Sequence, residues 1–195
     1  MQAQKKTTKI IAPALTVFAV LTVITGVVYP LAMTAIAQAT MPYQANGSLI
    51  KASDGKVIGS ALLGQAFDLA REDYFASRPS ATTPPYNAAS SGASNLAASN
   101  PAFKKAIAAR QIAYAGSGPC PADLLCASGS GLDPDISVAA ARYQARRVAK
   151  ARGLSQTQIH ALIDSCIIKP QLGILGEPRI NILSLNMALD HESKR

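Results

Sequence analysis

The chain has 195 residues, a formal net charge of +8 and charged side chains at only 15% of positions, with no Trp and 5% aromatics. A basic balance can mark a nucleic-acid partner, but three of the lysines sit together at the N-terminus and so few aromatics leave little for base stacking. Three cysteines and two distant histidines give no zinc-finger spacing.

Lys5, Lys6 and Lys9 precede an uncharged run from Ile10 to Ala39, and the next charge is Lys51. A bilayer core about 30 Å thick takes roughly 20 apolar residues in a helix, so this run is long enough to cross with some tilt. Leu15 to Met33 holds ten Leu, Ile, Val or Phe residues. At about −0.3 to −0.6 kcal/mol each, they outweigh Thr16, Thr22, Thr25, Gly26 and Pro30. The flanking lysines place the N-terminus inside and everything after about Thr40 outside. A secretory signal cleaved near Ala35-Ile36-Ala37 is the rival reading, although its apolar core would span only about 7–15 residues. The expected organisation is residues 1–9 cytoplasmic, 10–37 transmembrane and 38–195 an extracytoplasmic domain of the α+β class, mixing helices and strands.

Pro42 closes the membrane segment. Asn46-Gly47-Ser48 has the form of a glycosylation acceptor and reads more simply as a turn. Asp54-Gly55 between two short apolar runs predicts a hairpin. Gly64 to Ser99 is turn-rich, and its apolar residues Tyr74, Phe75, Tyr86 and Leu96 predict an ordered surface loop, with a flexible spacer as the alternative. Asn100-Pro101 predicts a helix start, with Gly116 as its end. Cys120 and Cys126 would either close a short disulfide loop or serve, with Cys166, as small buried hydrophobes.

Ser137 predicts the cap of a helix running to about Arg152, ended by Gly153. Ser155 with Gln158 predicts a capping box for the next helix, whose Ile159, Leu162, Ile163, Cys166 and Ile167 form a buried stripe. From Pro178 to Asp190 the alternation of Leu183, Leu185, Met187 and Leu189 predicts a strand with a bulge near Leu183. A helix beginning near Asn181 is the alternative.

Candidate chemistry is sparse. Ser128 and Ser130 lie in a Gly-rich turn that lacks the spacing of a nucleophile elbow or a phosphate-binding loop. A tight turn is the simpler reading, and a membrane-anchored hydrolase using one of these serines is the alternative function. Arg142, Arg146, Arg147, Lys150 and Arg152 make one helix basic. Arg142, Arg146 and Lys150 fall on one stripe, which is either a solvated face or a surface for an acidic partner or lipid headgroups. Asp133 and Asp135 suit the positive end of that helix and are too few for a calcium site. Glu177 and Arg179 suggest a local ion pair.

Ordered runs nevertheless point to a family. They are Gly47-Ser48-Leu49-Ile50, Gly59-Ser60, Leu63 to Phe67, Tyr74-Phe75, Arg78 to Ala81, Ser94-Asn95-Leu96 and Ser99-Asn100-Pro101. Further on stand Ala127 to Pro134, Ile136-Ser137, Gln144, Arg147-Val148-Ala149, Leu175 to Asn181 and Leu185-Asn186. In this order behind one span, the chain resembles the C-subunit family, KdpC, of the Kdp potassium-transporting P-type ATPase. It departs at Ala93, where the family commonly has Gly, and at Ala97-Ala98, where it commonly has Gly-Pro. The resemblance implies an accessory, non-hydrolysing subunit of a potassium uptake complex in the bacterial inner membrane. Its partners would be the potassium-pathway A subunit and the ATP-hydrolysing B subunit, and its role that of a catalytic chaperone raising nucleotide affinity. ATP and potassium are then ligands of the complex. A family proposal for ATP contact maps to Gln144, whereas the exported position of Gln144 favours an indirect effect. Partner-interface candidates are Gly26, Asn95 and Asn100, together with Ser130, Asp133, Glu177 and Arg179.

Overall fold

A computed structural model describes residues 2–52, 54–114 and 118–192, with side chains described from Ile10 onward. The chain divides into two compact units, Met1–Leu49 and Ile50–Arg195.

The first unit is helical. Helix α1 (Gln2–Val23) passes through a π-helical turn (Ile24–Val28) into α2 (Tyr29–Thr40). Ile10–Thr40 is the one candidate membrane span among the described residues, and none of its most apolar window is buried within the chain. The wide turn has a cause in the sequence. Pro30 has no N–H to give to the preceding turn, and the Tyr29 N–H reaches back five residues to the Ile24 carbonyl. Such one-turn π segments absorb an inserted residue. Hydroxyls of Thr16 and Thr25 donate to the carbonyls of Ala12 and Leu21, at 2.9 and 2.7 Å, so neither threonine leaves a polar group bare in an apolar medium.

Helix α2 stops at Met41, and Pro42 opens the single turn α3 (Pro42–Ala45). Asn46 and Gln38 exchange amide hydrogen bonds at 3.1 and 3.3 Å. Gly47 and Ser48 take positive φ, so this triplet is the turn that the sequence suggests.

In the second unit, β1 (Leu49–Lys51, which crosses the unit boundary) and β2 (Val57–Ser60) form the expected two-stranded ribbon around Asp54-Gly55. Helix α4 (Pro101–Ala113) starts as expected, with the Asn100 side chain accepting from the Ala102 N–H at 2.9 Å. It closes at Tyr114, and Gly116 lies outside the described residues. A single turn, α5 (Ala122–Leu125), buries Leu124.

Strand β3 (Asp135–Ser137) leads directly into α6 (Val138–Arg152), capped by Ser137 and ended by Gly153 at φ +66°. The capping box of Ser155 and Gln158 opens α7 (Gln156–Ser165). Strand β4 (Arg179–Asn181) pairs antiparallel with β3, Asp135 opposite Asn181 and Ile136 opposite Ile180.

The long strand expected over 178–190 does not form. After Asn181 the chain turns into α8 (Ile182–Glu192), the helical alternative. Its partner β3 is three residues long and ends in a helix, so nothing remains to pair with a longer strand. The Asn181 side chain instead accepts from the Ser184 N–H at 3.1 Å, an N-cap bond. Ile182, Leu183, Leu185, Asn186 and Leu189 are buried, and Ile182, Leu185, Asn186 and Leu189 among them have helical spacing.

The core joins α6, α7 and α8 with Ile136, Ile180, Leu124 and Phe75. Cys120 and Cys166 pack against it as part-buried free thiols, and Cys126 is likewise free. Burial raises the Cys120 thiol above its usual range.

Candidate functional site

Helix α6 organises the site. Its inward face is Ala140, Ala141, Ala145, Val148 and Ala149, with Gln144 among them. Small residues let neighbouring chain approach closely, and an amide in their midst needs partners. Gln144 is 2% exposed. Its Oε1 accepts from the Ala76 N–H at 2.7 Å, and its Nε2 donates to the Ala76 carbonyl at 3.2 Å. Asn186 of α8 does the same one residue earlier. Its Oδ1 accepts from the Phe75 N–H at 2.9 Å and its Nδ2 donates to the Phe75 carbonyl at 3.0 Å. Two side-chain amides thus replace the strands that would otherwise satisfy this buried backbone.

The loop expected over 64–99 is therefore ordered from within. Phe75 is fully buried and Ala76 nearly so. Arg147 donates to the carbonyls of Arg71, Glu72 and Tyr74 at 2.8 to 3.1 Å, and to Gln144 Oε1 at 2.8 Å. Arg152 donates to the Asp73 carbonyl at 2.7 Å and pairs with Asp190 at 2.8 Å. The Tyr74 ring carries the guanidinium groups of Arg71 and Arg152, at 4.5 and 4.4 Å from its centroid. Two members of the basic helix face thus hold the loop rather than meet solvent.

The structure does not gather the interface candidates into one place. Gly26 lies in the π-helical turn, with open space around it. Asn95 is exposed at φ +52°; Ala93 is not among the residues with positive φ, so its Cβ is unstrained. Asn100 is the cap of α4. The hydroxyls of Ser128 and Ser130 accept from the N–H groups of Gly131 and Leu132, at 2.9 and 3.1 Å. Among the described residues no histidine bonds to either, and the Gly131 φ of +69° marks the tight turn.

Asp133 pairs with Arg78 at 2.6 Å. Arg179 pairs with Asp135 at 2.8 Å, not with its neighbour Glu177. The strand register explains this correction, because Arg179 lies diagonally across from Asp135 on the β3–β4 ribbon. Glu177 is exposed.

Two carboxyls shift in opposite directions. The Arg71 hydrogen bond holds Asp73 below its usual 3.8. Burial pushes Asp135 above 3.8 despite Arg179. The contribution of Asp73 to stability is present above 3.8 and fades as pH falls through its lowered value. That of Asp135 is complete below 3.8 and fades as pH rises through its raised value. A carboxyl-detected NMR titration should find Asp135 losing its proton after Asp73; the reverse order would contradict these environments.

Comparison with known proteins decides the family. A family model described as KdpC, the c chain of K+-transporting ATPase, matches residues 11–191. The chain belongs to the KdpC family. It is 53% identical over 187 residues to the potassium-transporting ATPase KdpC subunit of Burkholderia vietnamiensis, covering 93% of this chain and 95% of that protein. The KdpC subunit of Rhodospirillum rubrum is 55% identical over 183 residues, 91% and 93% of the two chains. That of Sorangium cellulosum is 52% identical over 184 residues, 91% and 95%.

Within this chain, sequence reasoning missed the inward role of Gln144 and its counterpart Asn186. Ala141, Gln144, Ala145 and Val148 carry the i, i+3, i+4, i+7 signal that would have placed Gln144 in the core. It also missed the hairpin tip bridged between Gln171 and Leu175, where Leu172 and Ile174 are 88% and 80% exposed.

Proposed function

We propose that this chain is the accessory, non-hydrolysing subunit of an ATP-driven potassium uptake complex. It stabilises the assembly of the potassium-pathway A subunit with the ATP-hydrolysing B subunit and raises the ATP affinity of the latter. The match to the KdpC family over 181 of the 195 residues carries this reading. In this proposal residues 1–9 are cytoplasmic, 10–37 cross the bacterial inner membrane, and 38–195 form the extracytoplasmic domain. Three N-terminal lysines support that orientation. The exposed aliphatic tip at Leu172 and Ile174 supports a subunit role, since such clusters mark association surfaces.

The effect on ATP is indirect. Gln144 spends both ends of its amide on Ala76, which leaves it supporting the fold rather than meeting a nucleotide. Affinity purification of the tagged chain from native membranes under potassium limitation should recover a large P-type ATPase subunit and a multi-span partner. Recovery of the chain alone would refute the reading.

The span itself supplies a sharper test. A Cβ at Gly26 meets nothing within 4 Å in this chain, so Gly26→Leu fits the isolated helix. Small residues permit close helix approach in lipid. Gly26→Leu should lower partner recovery several-fold while the chain still inserts; undiminished recovery would remove Gly26 from the interface.

A further inference from the structure

Helix α6 has a second, outward face that the reading above leaves unused. Arg142, Arg146 and Lys150 are exposed on one stripe. With Tyr143, Gln156 and His160 they line a groove of about 910 Å³, within the range of roughly 300–1,000 Å³ typical of ligand-enclosing sites. Glu72 is the one carboxylate in its lining. Arg142 is tied to Asp164 at 2.9 Å, but both side chains are about half exposed, at 52% and 53%. Such a pair contributes little and exchanges readily. Arg146 and Lys150 have no ion pair among the described residues. Arg147, just beneath, is held by backbone carbonyls, which leaves its charge uncancelled by any carboxylate in the groove except Glu72.

We propose that this groove docks an acidic peptide segment of a neighbouring subunit. The inference rests on the subunit reading above and names the chemistry of one contact within it. Charge complementarity selects an acidic occupant. Shape and lining select a peptide over a lipid surface. The groove is concave, whereas a bilayer presents a broad face. Glu72 opposes a sheet of anionic headgroups but accepts hydrogen bonds from a peptide backbone. The ring of Tyr143 and the amide of Gln156 offer the mixed apolar and polar contacts that a peptide uses.

The test compares two double charge reversals in the full-length chain, each purified with its complex. Arg146→Glu with Lys150→Glu alters the groove. Lys104→Glu with Lys105→Glu makes the same change of charge at exposed positions on α4. The groove variant should lose roughly ten-fold or more of partner recovery at physiological salt, and wild-type recovery should fall as salt rises. The α4 variant should match wild type. A photo-cross-linking residue at position 150 of the otherwise unaltered chain should capture a partner peptide containing two or more Asp or Glu. If the wild-type chain recovers no ATPase subunit, the subunit reading fails and this inference with it. If it does, but the groove variant equals the α4 variant, or the cross-link falls on phospholipid or on a peptide without carboxylates, the inference alone is overturned.

Discussion

Gln144→Ala should lower the stability of the full-length chain by about 3 kcal/mol, read as a shifted urea transition in detergent. The amide holds both the N–H and the carbonyl of Ala76, a residue only 1% exposed. A buried backbone group left without a partner costs about 1–3 kcal/mol, and two are released together. The Arg147 guanidinium also loses its bond to Oε1. Asn186→Ala should cost a similar amount, for the same reasons at Phe75. The two losses should fall short of additive, because either one frees the segment that the other holds. Any fall in ATP affinity of the complex should then track the loss of folded chain. Unchanged unfolding of Gln144→Ala with a weakened ATP affinity would show that Gln144 acts on the nucleotide itself.

Gly131→Ala should cost about 2–5 kcal/mol, by two routes. Gly131 sits at φ +69°, where an L-residue pays about 1–2 kcal/mol. Its new Cβ would lie 2.6 Å from Thr82 Cγ2 and 2.8 Å from the Gly92 carbonyl oxygen, an overpacking of about 1–3 kcal/mol. The damage should spread beyond one turn. Gly131 accepts from the Ser80 hydroxyl at 2.8 Å, and the Gly92 N–H donates to the Ser130 carbonyl at 2.8 Å. Limited proteolysis should therefore open the chain between Arg78 and Gly92. Gly129→Ala is the internal comparison. Gly129 is not at positive φ, and its Cβ would meet nothing within 4 Å, so its unfolding transition should stay with wild type. Equal losses in the two variants would mean that the turn needs glycine only for flexibility.

The parts of this fold that the sequence made legible are those settled by near neighbours. Asn100, Ser137, the Ser155–Gln158 box and Gly153 all act within one helical turn, and each sits where the spacing placed it. The apolar run from Ile10 needed only length and composition. The last segment failed because alternation is a local signal, while a strand needs a partner elsewhere, and β3 ends after three residues. The buried segment Phe75-Ala76 was hidden for the same reason. Its partners are 68 and 111 residues away, on two helices, and nothing in the loop's own composition announces them. Arg179 was assigned the nearest carboxylate in sequence, when the ribbon had brought a distant one across. Of the candidate site, the basic stripe was visible as a pattern, but not the division of labour within it. Only packing shows that Arg147 and Arg152 face inward work while Arg146 and Lys150 face out.

The wide turn at Ile24–Val28 has a geometric result for the anchor. An α-helix advances about 100° per residue, and one extra residue accommodated in a π turn rotates everything beyond it by that angle relative to an unbroken helix. At about 100° per residue an unbroken helix would put Ala35 roughly 140° around the axis from Ala12, and the wide turn takes away about 100° of that, which brings Ala35 to the bearing of Thr16, close to Ala12 and Ala19. The wide turn thus carries one stripe of small residues, Ala12, Thr16, Ala19 and Ala35, along both halves of the candidate span.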